Sequence, residues 1–339
     1  MSRDFDVCVI GSGAGAGPVI WSLARAGYSV VVLEKGPWLH TRDFFKDERQ
    51  CCLREHFKPD RRDEPQVVEE EDDEGNWHAQ RTDSSHTNFW NGNLVGGSSN
   101  FMSGFFHRLK PVDFHLRSTF GPVEGGNVAD WPIDYSDLEP YYTRVEHIIG
   151  VSGRVVKHPR QEPRSTPDFP YPPTREHPVA GLIDQASLAL GYHAIPTPRA
   201  ILPRAALGRQ GCSYSGYCGA YGCATGAKGS ARAALIDQAV ATGRVQVRPW
   251  SMAKRIATDG RGRISAVEYL DKQGQTRRVD ARIYVVACQA VETARLLLNS
   301  VGPKHEYGLG NRNRQIGKNL LFAGGGSGSG RLVYSKMKP

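Results

Sequence analysis

Residues 6–17 read Asp-Val-Cys-Val-Ile-Gly-Ser-Gly-Ala-Gly-Ala-Gly, and a second apolar run, Val30-Val31-Val32-Leu33, ends on the acid Glu34. The β-branched run from Val7 to Ile10 stops at a glycine, and apolar residues then recur at helical spacing from Pro18 to Ala26. This pattern predicts strand, tight turn, helix, strand. Each turn position has a physical task. Gly11 permits a sharp exit from the strand, Gly13 lets the backbone approach a pyrophosphate, and Ala16 stands where a third small residue allows the helix to pack closely on the sheet. The phosphates then meet a helix N-terminus, where unpaired N–H groups and the positive end of the dipole favour an anion. Glu34 closes the second strand, where a carboxylate accepts hydrogen bonds from ribose hydroxyls and disfavours a 2′-phosphate. The unit predicts bound FAD or NAD, not NADP.

At 339 residues the chain is long enough for two domains, or for one domain with an inserted layer. Its net charge of +8 is spread along the sequence, which argues against nucleic acid as a partner. No uninterrupted apolar stretch approaches the roughly 20 residues that span a bilayer. The first strand begins within five residues of Met1, which leaves no room for a signal peptide. The expected location is the cytoplasm, or the periplasm if a partner subunit carries the export signal. Seven cysteines, an odd number, suit a reduced compartment better than a disulfide framework.

After Glu34, Gly36-Pro37-Trp38-Leu39 breaks the strand, and an excursion without clear periodicity runs through Cys51-Cys52 to about His86. Its acidic run, Glu69 to Glu74, reads as a solvated loop. A second small-residue segment, Asn91 to Gly104, leads into Phe105-Phe106-His107-Arg108. Such a segment either lays bare N–H groups against a flat ring or phosphate, or packs as a turn. Ser136-Asp137-Leu138-Glu139 reads as a capping box opening a helix. Leu138, Tyr141, Tyr142, Val145, Ile148 and Ile149 form its apolar face, expected in the core, and Gly150 ends it. The proline-rich stretch from His158 to Pro178 reads as a surface connection. A helix from Ser230 to Ala241, closed by Gly243, precedes strands at Val245–Val247, Met252–Ile256, Ile264–Leu270 and Ala281–Ala287, then a last helix at Ala290–Asn299. A β-meander returning to a buried strand and helix completes an FAD domain, so the final third is still nucleotide fold.

Four motifs together resemble the glucose-methanol-choline (GMC) oxidoreductases, FAD enzymes that oxidise alcohols. They are Gly11-Ser12-Gly13-Ala14-Gly15 with Glu34-Lys35-Gly36; Val95-Gly96-Gly97-Ser98-Ser99; Asp130-Trp131-Pro132-Ile133 with Asp137-Leu138-Glu139-Pro140-Tyr141-Tyr142; and Val285 to Leu297. The resemblance runs from Asp6 to about Tyr334. It implies an α/β architecture: a Rossmann-like FAD-binding domain with β-meander, made of residues 1–40, 84–110 and 205–318, and an incomplete α+β substrate domain made of 41–83, 111–204 and 319–339.

Residue by residue, the resemblance implies that Gly11, Gly13, Ala14 and Gly15 face the FAD pyrophosphate and that Glu34, followed by Lys35, faces the adenosine ribose. Gly97, Ser98, Asn100, Phe101, Met102 and Ser103 would pass beside the flavin, with Met102 where the family often has Asn. Ala253 matches the backbone position that meets adenine, and Ala287 and Glu292 match the last strand-to-helix turn, where Gln289 replaces a frequent glycine. The segment Cys212 to Lys228 resembles the cysteine-rich segment of sugar and gluconate dehydrogenase large subunits, which pass electrons through an iron-sulfur cluster to a cytochrome. Ser215 stands at one cysteine position, so Cys212, Cys218 and Cys223 either hold a [3Fe-4S] cluster or are three reduced cysteines under a loop. Zinc fits less well, since no histidine supplies a fourth ligand there.

The implied reaction oxidises the CH–OH group of a sugar, sugar acid or other alcohol by hydride transfer to flavin N5, with a cytochrome or quinone taking the electrons; a cytochrome or small accessory subunit is the implied partner. The alternative is an FAD-binding subunit without turnover of its own. The histidine pair that serves this family as catalytic base would lie beyond Pro339. None of the eleven histidines stands in a matching context, His107 beside the second glycine segment being the nearest to one. The Gly324 to Gly330 stretch reads as a native loop, on its resemblance to a family segment.

Overall fold

The β-branched opening run becomes a central strand. In the computed structural model, which describes residues 4–44, 48, 65–84, 92–159 and 161–320, β1 (Phe5–Ile10) leads through α1 (Ala16–Arg25) to β2 (Val30–Leu33). The two strands lie parallel, Val7 opposite Val30 through Ile10 opposite Leu33. Helix α1 buries Ala16, Gly17, Ile20 and Ala24, one stripe at helical spacing. That stripe packs on Val7, Val9, Val30 and Val32. Burying the Ile20 side chain alone contributes about 1.5–3 kcal/mol. The close approach expected at Ala16 is shared with Gly17, where an added Cβ would stand 3.0 Å from Ala231 Cβ and Leu235 Cδ1.

The acidic run expected as loop is instead half of a hairpin. β3 (Val67–Glu71) pairs antiparallel with β4 (Trp77–Arg81), Glu70 opposite His78. Asp72 fixes the turn by accepting from the N–H groups of Glu74 and Asn76, and it pairs with His78 at 2.6 Å. Ladder hydrogen bonds order this solvated segment without help from burial.

Beyond the short helix α2 (Leu116–Phe120), α3 (Tyr135–Ile149) occupies the predicted helix. Its cap is Asp134, whose N–H donates to the Asp137 carboxylate at 2.8 Å, and not Ser136. Gly150 ends it in the left-handed region at φ +81°. The tyrosine-rich face is only partly core: Tyr135 and Ile149 are buried, while Tyr141 is exposed. Periodicity also hid a buried ion network on this helix. Arg108 grips Glu146 with a two-pronged fork at 2.8 and 2.9 Å, bonds Glu139 at 2.9 Å, and reaches Thr143 and Tyr135. Arg164 also pairs with Glu146. Farther on, α4 (Pro178–Ala189), unanticipated in the sequence, buries none of its residues.

A wider π-type turn, Arg232–Ile236, runs into α5 (Asp237–Ala241) and then β5 (Val245–Arg248), which pairs in parallel with β2. β6 (Met252–Thr258), β7 (Ile264–Leu270) and β8 (Thr276–Val279) form an antiparallel meander. β8 is not evident from the sequence because two of its four residues are arginines on an exposed edge. β9 (Ala281–Val286) returns to pair in parallel with β1, and α6 (Ala290–Asn299) follows.

The parallel sheet has the order β5-β2-β1-β9. Alternation along β1 sends Val7 and Val9 toward α1, while Cys8 and Ile10 face Ile256, Val267, Tyr269 and Leu296 of the meander and α6. β5 and β9 thus bring strands from the later part of the chain into one sheet with β1 and β2. The Cys51-Cys52 pair and the Gly324–Gly330 stretch lie outside the described residues.

Candidate functional site

Parallel strands present their carboxyl ends to one edge of a sheet, where α/β folds bind ligands. Here that edge opens into a cavity of about 530 Å³. Gly11, Gly13, Ala14, Gly15, Glu34, Lys35, Gly97, Ser98, Ala253, Ala287 and Glu292, separated by up to 281 positions in sequence, all line it. Gly11 sits at φ +94°, and a Cβ there would stand 2.7 Å from the Ala287 carbonyl oxygen. Gly13 and Gly15 are the opposite case, since nothing lies within 4 Å of an added Cβ at either position. Their open faces form a cradle that side chains would fill. Gly97 would bring a Cβ to 3.0 Å from Gly13 Cα, so the two glycine segments approach through bare backbone. Gly15 caps α1 with no side chain to offer, and no acid stands in the first turn, which leaves the dipole available to an anion. These features fit the adenosine and pyrophosphate of a dinucleotide.

Glu34 stands at the end of β2, 7% exposed. Its Oε2 accepts from the Ser12 hydroxyl at 2.5 Å and its Oε1 from the Gly36 N–H at 3.0 Å. Burial raises its pKa above the ordinary glutamate value, and the donors at Ser12 and Gly36 hold that rise in check. On the adjoining wall Glu292 bonds Arg295 Nε at 2.9 Å and lies 3.7 Å from the Lys35 ammonium. Arg295 also donates to the Ala253 carbonyl at 3.1 Å, tying α6 to the meander. Cys288 lines the cavity too, its thiol pushed up to about 12 by burial and by the nearby carboxylates of Glu292 and Glu34. Ser12, Arg295 and Cys288 were not singled out in the sequence. Each lay within a quoted motif, Ser12 between two glycines of the first and Cys288 and Arg295 in the Val285 to Leu297 stretch.

Of the residues expected beside the flavin, Gly97 and Ser98 line this cavity, whereas Asn100, Phe101, Met102 and Ser103 do not. Asn100 turns its amide back to the carbonyls of Val95 and Gly97 at 3.1 and 2.9 Å. Phe101 meets Phe44 edge to face, Met102 packs beside Ile149 and Val151, and the Ser103 carbonyl accepts from Arg199 at 2.6 Å. They brace the second glycine segment. His107 is exposed beside Phe105 and away from the cavity.

The cysteine segment does not fit the expected cluster. Among the described residues no three His, Cys, Asp or Glu side chains form a metal-holding group, and Cys212, Cys218 and Cys223 are free thiols. Lys228, buried, organises that loop instead, donating to the carbonyls of Cys218, Gly219 and Tyr221. It also reaches the Asn100 carbonyl at 3.4 Å. Burial opposes ionisation of Cys223, but hydrogen bonds from Thr225 and the Lys228 N–H, with the Lys228 charge, outweigh it and hold the thiol below its usual range.

Fold and cavity together define an α/β dinucleotide-binding protein. Residues 173–322 match the family model for GMC oxidoreductases. The chain is 33% identical over 325 residues to a 6'''-hydroxyparomomycin C oxidase of Streptomyces lividus, an alignment covering 94% of this chain and 54% of that protein. It is 26% identical over 356 residues to the fructose dehydrogenase large subunit of Gluconobacter japonicus, covering 93% of this chain and 58% of the relative. The solved pyridoxine 4-oxidase from Mesorbium loti shares the fold at a TM-score of 0.50 and 17% identity, covering 88% of this chain and 52% of that one. These matches make the chain similar to the GMC oxidoreductases. It spans about half the length of the curated relatives it matches.

Proposed function

We propose that this chain holds FAD and serves the oxidation of a CH–OH group of a sugar, sugar acid or other alcohol. The observation that carries this reading is the shared cavity onto which both glycine segments, Glu34 and the meander residue Ala253 converge. Bound there, FAD supplies a hydride acceptor at N5. The chain's own residues bind, orient and insulate. The N-terminus of α1 and the open faces of Gly13 and Gly15 take the pyrophosphate. Glu34 accepts from the ribose hydroxyls, while Ala253 and Ala287 wall off the nucleotide. Electrons then pass to a cytochrome or quinone, through an accessory subunit. The Gluconobacter relative, itself named as a large subunit, supports that assembly. We place the protein in the cytoplasm, or in the periplasm if exported with a partner.

Anaerobic absorbance of the purified chain tests this reading, before and after gluconate or glucose and then dithionite. A flavin spectrum bleached by substrate supports it, and a colourless chain that takes up no added FAD refutes it. The second reading is an FAD-binding subunit without independent turnover. FAD retained but reduced only by dithionite selects it.

A further inference from the structure

Resting on the reading of the cavity as an FAD site, we infer that Ser12 is a positioning residue that aims the Glu34 carboxylate at the adenosine ribose and locks the two glycine segments to it. Ser12 is 1% exposed and sits in the turn between β1 and α1. Its hydroxyl accepts from the Gly96 N–H at 3.1 Å and lies 2.5 Å from Glu34 Oε2. A backbone N–H can only donate. The serine's single proton is therefore directed to Glu34, which is fixed as the acceptor. One side chain thus joins three walls of the cavity: the first turn, the end of β2 and the second glycine segment.

The geometry leaves little slack around this link. Gly96 is held in the left-handed region at φ +94°, with an added Cβ only 2.7 Å from Arg232 Cβ and from Asn100 Nδ2. Asn100 in turn bonds the Val95 and Gly97 carbonyls, so the N–H that Ser12 accepts from cannot drift. On the other side, Gly36 N–H holds the second oxygen of Glu34. With one donor on each oxygen, the carboxylate cannot rotate, yet each oxygen keeps lone-pair capacity for a ribose hydroxyl. Nothing else among the described hydrogen bonds ties Glu34 to the second glycine segment.

The test uses the full chain and two probes, ADP, which stands for the adenosine diphosphate half of FAD, and 2′-deoxy-ADP, which lacks one ribose hydroxyl. Calorimetry on the wild-type chain is expected to show ADP bound about tenfold more tightly than 2′-deoxy-ADP, the worth of a hydrogen bond to a charged acceptor. In Ser12→Ala, and in the volume-conserving Ser12→Cys should the alanine variant not fold, that ratio falls toward one. Ser12→Thr, which keeps the hydroxyl, retains it. A purely structural role would weaken both probes alike and leave the ratio intact. A wild-type ratio that survives in the alanine or cysteine variant overturns this inference alone. A wild-type chain that binds neither FAD nor ADP overturns the cofactor reading and this inference with it.

Discussion

At the scale of single residues, the two turn glycines separate cleanly by what surrounds them. Gly11 is required by the fold: at φ +94° with the Ala287 carbonyl beneath it, Gly11→Ala adds both backbone strain and a steric conflict. Left-handed strain alone costs about 1–3 kcal/mol. Gly13 is not required by the fold in this way, because an added Cβ meets no protein atom and enters only the cavity. Gly11→Ala is thus expected to lower the thermal midpoint and FAD binding together, whereas Gly13→Ala keeps the midpoint and loses FAD affinity at least tenfold. Differential scanning fluorimetry with a FAD titration checks both. The glycines were legible in the sequence because a β-branched strand that runs straight into bare backbone and then a helix matches the turn a pyrophosphate needs. Their division of labour was not, since it depends on Ala287, which is remote in sequence and close in space.

At the scale of elements, α3 rests on charge as much as on its apolar stripe. Its network buries Arg108 against Glu146, with Tyr135 and Thr143 closing the remaining donors. Arg108→Met leaves the Glu146 carboxylate, 1% exposed, with only part of its compensation. Loss of one partner of a buried pair costs about 3–5 kcal/mol, to be read as a lower urea midpoint. Glu139 adds a pH signature. Its burial is outweighed by the donors at Ser165, Arg108 and Thr143, and its pKa falls to about 2. An unfolded glutamate titrates near 4.3, so this carboxylate contributes stability that is complete above about pH 5 and lost as pH falls toward 2. Urea melts from pH 6 to pH 3 should show wild type converging on Glu139→Gln at the acid end. Periodicity located this helix to within two residues at its start, yet gave no sign of its buried acids, because a pattern of apolar spacing says nothing about which cations fold over it.

At the scale of the whole molecule, the cavity couples stability to ligand. A chain that binds FAD only when folded gains about 2.7 kcal/mol at a FAD concentration one hundred times Kd. Its thermal midpoint should therefore climb with FAD, and in Gly13→Ala the increment at the same FAD concentration should fall to about half or less. α4 gives a second consequence. Leu182, Ile183 and Leu188 on the helix, and Leu190 and Tyr192 just past it, are all exposed. Exposed apolar side chains gathered on one short segment promote association. The chain is expected to self-associate with rising concentration, and Leu188→Glu with Leu190→Glu should suppress this in light scattering without shifting the midpoint.

Local sequence was enough for the strand-turn-helix-strand unit, the acid that ends it, most of the meander and the last helix, because each is written in local periodicity and in glycines that other residues cannot replace. It also carried the family resemblance. Only the tertiary structure decided which of those residues share a cavity, that Asn100 to Ser103 brace rather than line it, and that a lysine orders the loop where three cysteines pointed to a cluster. The reason is physical. Propensity and spacing act between neighbours in the chain, whereas a binding site is made by strands such as β1, β2 and β9, from opposite ends of the sequence, pairing in one sheet.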